Sequence, residues 1–338
     1  MSAYLLHGLE TECSYALHGS SPAGGRALGR AWIDSCGAPP PALEAWIHHH
    51  HLDGGEIWLS KGRAQGDRGW LVQVRDIAQF HIEPDRMTVH CHPHPGSSSR
   101  DIAYVTENQL LPLLASLQGL PLVHGAAIQA GDRAALFLGA TGRGKSTLAL
   151  SFAGSGEGRL LSDDCTAFAF EHEDGLSPVS VLPSGAPPRL WPDSYAGLLS
   201  GAEHVAPGSD YSPKLQLTCA PEAQEFDVRP FPLTALFLIG EPLHDDVRSV
   251  SLETISPMEA SLALVRHGLV FDPGDANTLV RQFRAVTAVA QRVPAFALHY
   301  RREFGALPAV RSAILKALDG APGPERADIG RANDPEGP

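Results

Sequence analysis

Gly139-Ala140-Thr141-Gly142-Arg143-Gly144-Lys145-Ser146-Thr147 is a complete G-x-x-x-x-G-K-[ST] sequence. The apolar run Ala134-Ala135-Leu136-Phe137-Leu138 leads into it, and Ser146–Ala153 follows with helical character. Strand, glycine-rich loop and helix in that order make a phosphate-binding loop. The glycines let the backbone turn tightly, so that successive N–H groups and the helix N-terminus converge on one anion. Lys145 is expected to reach the β- and γ-phosphates and the Ser146 hydroxyl to ligate a metal ion, so that ATP and Mg²⁺ are the expected cofactors.

Composition narrows the setting of this loop. The 338 residues can fill one large domain or two, and 43% hydrophobic with 19% charged residues is ordinary for a water-soluble globular chain. No apolar run reaches the roughly 18–20 residues of a membrane span. The N-terminus lacks a basic segment followed by an apolar one, so the expected location is the cytoplasm. A net charge of −12 argues against general nucleic-acid binding, which needs a basic surface. The five cysteines (Cys13, Cys36, Cys91, Cys165 and Cys219) contain no C-x-x-C pair, as fits reduced thiols rather than a disulfide framework.

Working outward, residues 119–319 read as the domain that carries the loop, and 1–118 as a smaller β-rich module before it. Within the first 40 residues the pattern is weak; Arg26–Asp34 fits a short helix or a strand. His48-His49-His50-His51 reads as a polar loop before Asp53-Gly54-Gly55, with metal binding as the sharper alternative. From Glu56 short alternating segments follow: Glu56–Leu59, Gly69–Val74, Ala78–Ile82 and Arg86–Cys91, as in an antiparallel sheet. His90, His92 and His94 would share one face of a continuing strand and could suit a metal, whereas Pro93 and Pro95 indicate a frayed exit. Trp58 and Trp70 could anchor a partner on this sheet or fill its core.

Asp101–Leu117 has helical apolar spacing interrupted by Pro112, which should kink or split it. Leu120–Ile128 reads as one buried strand, and Ala130-Gly131-Asp132-Arg133 as a hairpin turn into the strand before the phosphate loop. Ser256-Pro257-Met258-Glu259 is an N-cap followed by a proline-first helix start, Asn277–Val293 an amphipathic helix, Ala295–Tyr300 a strand and Pro308–Leu318 a last helix. Residues 320–338, rich in Gly, Pro and charge, are expected to be a disordered tail.

Phosphoryl transfer needs a further acidic contact to the metal and a carboxylate near the attacking hydroxyl. Asp163 and Asp164 close a short apolar strand soon after the loop helix, where they can divide those tasks or merely cap a turn. His124, beside Gly125 on an apolar strand, reads more readily as a core histidine than as a catalyst. Arg189 and Lys214 stand in proline-flanked segments where a phosphate or an acidic substrate could be gripped.

His124-Gly125, the 139–146 loop and Ser162-Asp163-Asp164, in that order and spacing, resemble the C-terminal catalytic domain of HPr kinase/phosphorylase. The match is nearer to a divergent branch of HPr-kinase-like proteins of lasso-peptide and related ribosomal-peptide pathways. The residues similar to that branch are Leu110–Leu114, Gly142–Thr147, Leu160–Cys165, Arg189-Leu190-Trp191-Pro192-Asp193-Ser194, Tyr211-Ser212-Pro213-Lys214 and Val293-Pro294. The resemblance spans roughly residues 105–318. It implies an α/β (α+β) P-loop domain with a mixed sheet, and a kinase acting on a serine of a peptide or small protein, with a homo-oligomer left open. It makes Asp163 the base on that hydroxyl, Asp164 a metal or neighbouring ligand, and His124 a support for the first aspartate or for the transferred phosphoryl group. Arg189-Leu190-Trp191-Pro192 stands where the HPr-specific enzymes carry their substrate-side signature, which points away from HPr itself. Two rival readings remain, a nucleotide-binding regulator that hydrolyses ATP without an acceptor, and a small-molecule kinase.

Overall fold

The computed structural model describes residues 1–19, 26–51, 56–170, 178–198, 205–209, 212–217, 229–243 and 250–321; the expected tail from residue 322, Tyr211 and Cys219 lie outside them. Two large mixed sheets and a small three-stranded one form a mixed α/β structure. The first sheet runs in the order Ser2–Leu6, Leu9–Cys13, Gly29–Ser35, Thr88–Pro93, Ala78–Ile82, Trp70–Val74, Ile57–Ala64 and Leu43–His51. Its pairs are antiparallel, except that Gly29–Ser35 runs parallel to both of its neighbours.

The weakly patterned N-terminal stretch supplies three strands, and of the two forms open to Arg26–Asp34 it is the strand that is adopted, as Gly29–Ser35. Their buried residues mix the small or polar Thr11, Cys13 and Ala31 with Leu6, Leu9 and Ile33, which blunts the alternation that marks a strand. The four histidines are not a loop but the end of the edge strand Leu43–His51. His49 Nδ1 lies 2.7 Å from Ser60 Oγ, and the His48 and His50 rings meet edge-on at 4.5 Å. Burial, with Lys61 and the adjacent histidines acting in the same direction, lowers His50 to about 4. A polar edge strand is one way a sheet limits pairing with other chains. His90, within the sheet, turns to Glu83 at 2.8 Å, while His94 turns to its neighbour's carbonyl (Pro95 O, 3.1 Å).

The helical stretch before the second sheet has three parts: α-helix Ser99–Val105, a π-helical turn Thr106–Leu110, and α-helix Leu111–Leu117. Pro112 therefore acts one turn earlier than a simple kink would. In the π register Glu107 O would take its hydrogen bond from residue 112, and proline has no N–H to give. The released carbonyl accepts instead from His7 Nε2 at 2.9 Å. His7 sits at the tip of the Ser2–Leu6/Leu9–Cys13 hairpin, where its own N–H donates to Ser184 O at 2.9 Å.

The second sheet has nine strands. Its centre is the parallel trio Arg133–Leu138, Phe231–Ile239 and Ala295–Tyr300. The stretch read as one strand, Leu120–Ile128, is split: Leu122–Val123 pairs with Thr166–Phe170, and Ala126–Ala130 pairs with Arg133–Leu138 and Arg159–Ser162. The hairpin turn, the Ser256 capping box with Glu259 and the C-terminal helices follow their sequence signals.

One hydrophobic core crosses residue 119: it joins Leu6, Leu9, Phe80 and Leu114 to Leu122, Ala167, Leu182 and Phe271. Trp70 meets Phe271 edge-on at 6.4 Å with the Arg86 guanidinium 5.3 Å over its ring, and Trp58 also packs against this core. Ser116 bonds Leu269 O and the N–H of Phe271, and Arg63 pairs with Asp272 at 2.8 Å. The two sheets are therefore fixed on each other through the segments around His7 and Phe271.

Burial of His7, opposed by its bond to the Glu107 carbonyl, lowers its pKa from 6.5 to about 4. The fold holds the ring neutral while the unfolded chain takes up a proton below 6.5, so stability falls with pH between 6.5 and 4. By pH 5 this one group costs about 2 kcal/mol. His7→Asn keeps a residue type that tolerates the positive φ of 51° at this position. In urea titrations it should be less stable than wild type at pH 7 yet lose less between pH 7 and pH 5.

Candidate active site

Strand direction explains why distant segments meet. Arg133–Leu138 ends at the phosphate loop; Arg159–Ser162, two strands away, points the same way because both are antiparallel to Ala126–Ala130 between them. Its end, Ser162-Asp163-Asp164, therefore emerges at the edge where the loop begins, and so does His124-Gly125, which precedes Ala126–Ala130. Phe231–Ile239 and Ala295–Tyr300 end at this edge as well. The carboxyl ends of parallel strands are where open α/β sheets place their ligand sites.

Gly139, Gly142 and Gly144 have φ values of 152°, 78° and 84°, a region that residues with a Cβ rarely adopt. Gly144 is the left-handed N-cap of helix Lys145–Ser155, so the first N–H groups of that helix open into the loop. Lys145 Nζ lies inside the curl, donating to Gly139 O at 2.8 Å and Ala140 O at 3.2 Å. Burial lowers its pKa, while Asp164 and Asp163 act against that shift. Thr147 Oγ1 is 3.0 Å from Ser194 Oγ, which ties the loop helix to helix Pro192–Leu198. On the far side Arg143 forms an ion pair with Glu241, and Arg302 donates to Gly240 O at 2.8 Å.

The two aspartates occupy different surroundings although they are adjacent. Cys165 N donates to Asp163 O at 2.8 Å and Asp164 has a positive φ of 68°, so the chain reverses sharply and splays the two side chains. Asp164 Oδ2 accepts from Arg189 Nη2 at 2.5 Å, and its Oδ1 lies 3.5 Å from His124 Nδ1. Burial alone would raise the Asp164 carboxyl, but Arg189, His124 and Lys214 outweigh it and hold the group well below the usual carboxylate range. Asp163 Oδ2 accepts the backbone N–H of Arg189 at 3.3 Å, while Oδ1 is buried with no hydrogen-bond partner among the described residues. Burial lowers the pKa of His124, against the pull of Asp164 and with the help of Lys145, so the ring is neutral at pH 7.

The expected site residues are thus placed as follows. His124, Lys145, Ser146, Asp163 and Asp164 come to one edge. His124 faces the second aspartate, not the first. Arg189 does not offer its guanidinium to a phosphate: it is buried, donating to Asp164 and, at 2.9 Å, to Tyr104 Oη. Lys214 Nζ lies 5.8 Å over the ring of half-exposed Trp191, and its charge acts on both Lys145 and Asp164. Two residues were missed from the sequence. His267 O accepts from His124 N at 2.6 Å, and Tyr104 is the neighbour of Arg189. Neither belongs to a motif; both arrive by long-range packing.

Among the described residues no group of three or more His, Cys, Asp or Glu side chains could hold a metal by itself. That is compatible with Mg²⁺ carried by a nucleotide, which takes few protein oxygens and several from phosphate. The donors fit such an ion: the Ser146 hydroxyl lies in the first turn of the loop helix and the ionised Asp164 at the same edge, with the buried, unpartnered Asp163 Oδ1 left over beside them. No helix among the described residues is long and apolar enough to cross a membrane.

No family model matches the chain, and neither does any curated protein. Among solved structures it is similar to the HPr(Ser) kinase/phosphatase from Coxiella burnetii, at 14% identity and a TM-score of 0.30, over 58% of this chain and 97% of that one.

Lys145→Met keeps the length of the side chain and removes its charge. Binding of a fluorescent ATP analogue should weaken roughly tenfold or more, the loss of one charge-assisted contact to phosphate. Unchanged affinity would mean that the loop does not hold the nucleotide as its geometry indicates.

Proposed function

We propose that this chain is a Mg·ATP-dependent kinase that transfers the γ-phosphoryl group to a serine hydroxyl of a peptide or small protein. The observation that carries the reading is the meeting of a phosphate loop, two aspartates in unlike surroundings and a histidine at one sheet edge. In this reading the loop N–H groups and Lys145 hold the β- and γ-phosphates. Ser146 and Asp164 hold the magnesium ion, which would neutralise charge on the phosphates. Asp163, with one oxygen uncommitted, accepts the proton of the attacking hydroxyl as its oxygen bonds to the γ-phosphorus and the bond to ADP breaks. His124 steadies Asp164, and Lys214 stands near enough to meet an acidic or phosphorylated group.

The resemblance to the ribosomal-peptide branch supports a precursor peptide as acceptor. The uncommitted Asp163 oxygen supports transfer to an acceptor over a regulator that merely hydrolyses ATP.

Serine-bearing peptides encoded beside the gene, incubated with the protein and Mg·ATP, should gain one phosphoryl group by mass spectrometry. Asp163→Asn should slow that transfer by roughly 10²-fold or more while ATP still binds. Transfer by the variant at the wild-type rate would remove Asp163 from the role of base.

A further inference from the structure

Arg189 bonds both aspartates: its backbone N–H meets Asp163 at 3.3 Å and its Nη2 meets Asp164 at 2.5 Å. A guanidinium buried this deeply has few orientations that satisfy its donors. The other arm of the fork, Nη1, donates to Tyr104 Oη at 2.9 Å, and the guanidinium carbon lies 5.5 Å from the centre of the Tyr104 ring. Tyr104 is 3% exposed and belongs to helix Ser99–Val105, on the N-terminal side of the chain. Burial alone would weaken the protonation of Arg189, but Asp164 and Tyr104 outweigh it and leave the guanidinium more firmly protonated than a free arginine. Just beyond Tyr104 the π-helical turn fixes the helix through Glu107 O and His7, and Thr106 Oγ1 meets Tyr15 Oη at 2.7 Å.

We propose that Tyr104 is a positioning residue of the phosphoryl-transfer site: its hydroxyl sets the orientation of Arg189, and through Arg189 that of Asp164, so that the part of the chain before residue 119 is a working part of the active centre. This rests on the kinase reading for its catalytic consequence, though not for the geometry. A tyrosine that only filled the core would be replaced by phenylalanine at no cost to the site, since the ring and its volume are kept. Loss of the hydroxyl instead leaves Nη1 without its acceptor in a place water does not reach, and the fork turns to find another. Asp164 then loses part of the clamp that holds its side chain in place.

The test compares wild type with Tyr104→Phe in the full-length protein by two readouts. In the first, the side-chain N–H signals of ¹⁵N-labelled arginine are followed by NMR, and Arg189 is assigned by its absence from Arg189→Lys. The pinned fork of wild type should give separately resolved Nη protons; in Tyr104→Phe they should merge or exchange with water at least about tenfold faster, with the melting temperature changed by about 2 °C or less. In the second, turnover of labelled ATP, with peptide or water as acceptor, should fall about tenfold or more in kcat, while KM for ATP stays within about twofold. Arg189 Nη protons that stay resolved and exchange as in wild type overturn the proposal, whether or not turnover changes. So does kcat within about twofold of an active wild type. A wild type that transfers no phosphoryl group would remove the kinase reading, and the arginine signals would still decide whether Tyr104 orients Arg189.

Discussion

Arg189 carries its charge into a part of the molecule that water does not reach, and much of the site is arranged to answer it. An unpaired buried charge is very costly, and a buried pair is tolerable only when geometry satisfies the remaining donors. Asp164 supplies the opposite charge and Tyr104 the second acceptor, while the backbone N–H of Arg189 reaches Asp163. The pair is thus weak evidence for stability and strong evidence for specified geometry. It fixes a carboxylate in one protonation state and one place, beside His124 and within the field of Lys145.

That geometry depends in turn on strand direction. Because Ala126–Ala130 runs opposite to the strands on both of its sides, the His124 segment, the phosphate loop and the aspartate turn share an edge with no long excursion of chain. The sharp reversal at Asp164 then separates two neighbouring carboxylates that would otherwise repel each other at close range. One is committed to an arginine; the other keeps an oxygen uncommitted. Pairs of titratable groups in unlike surroundings are how a site divides acid–base work from charge stabilisation.

Much of this edge was legible in the sequence, because its signals are local. The phosphate loop needs glycines at fixed offsets, the hairpin needs Gly131, and the aspartates sit at the end of an apolar run. The Ser256 cap and the proline-first helix are likewise readable within four residues. What was not legible depends on contacts far apart in the chain. Arg189 looked like a phosphate contact because its basic character is visible and its burial is not. His48–His51 looked like a loop because four polar residues carry no alternation, although pairing with Ile57–Ala64 makes them a strand. The first 40 residues hid three strands because their parallel pairing joins segments up to 56 residues apart, and their buried faces include Thr11, Cys13 and Ala31.

The π-helical turn shows how a local defect serves long-range order. Pro112 cannot donate to Glu107 O, and an ordinary kink would leave that carbonyl unsatisfied in the core. The hairpin tip at His7 answers it, and the same tip bonds Ser184 in the segment that leads to Arg189. Two turns that are remote in sequence are thereby locked against each other, one below Tyr104 and one before Arg189. A binding module that could swing freely would gain nothing from this. It is the arrangement expected when the first sheet acts as a wall of the candidate site, with the tyrosine and the arginine held at a fixed distance while the phosphate loop and the aspartates are set by the second sheet.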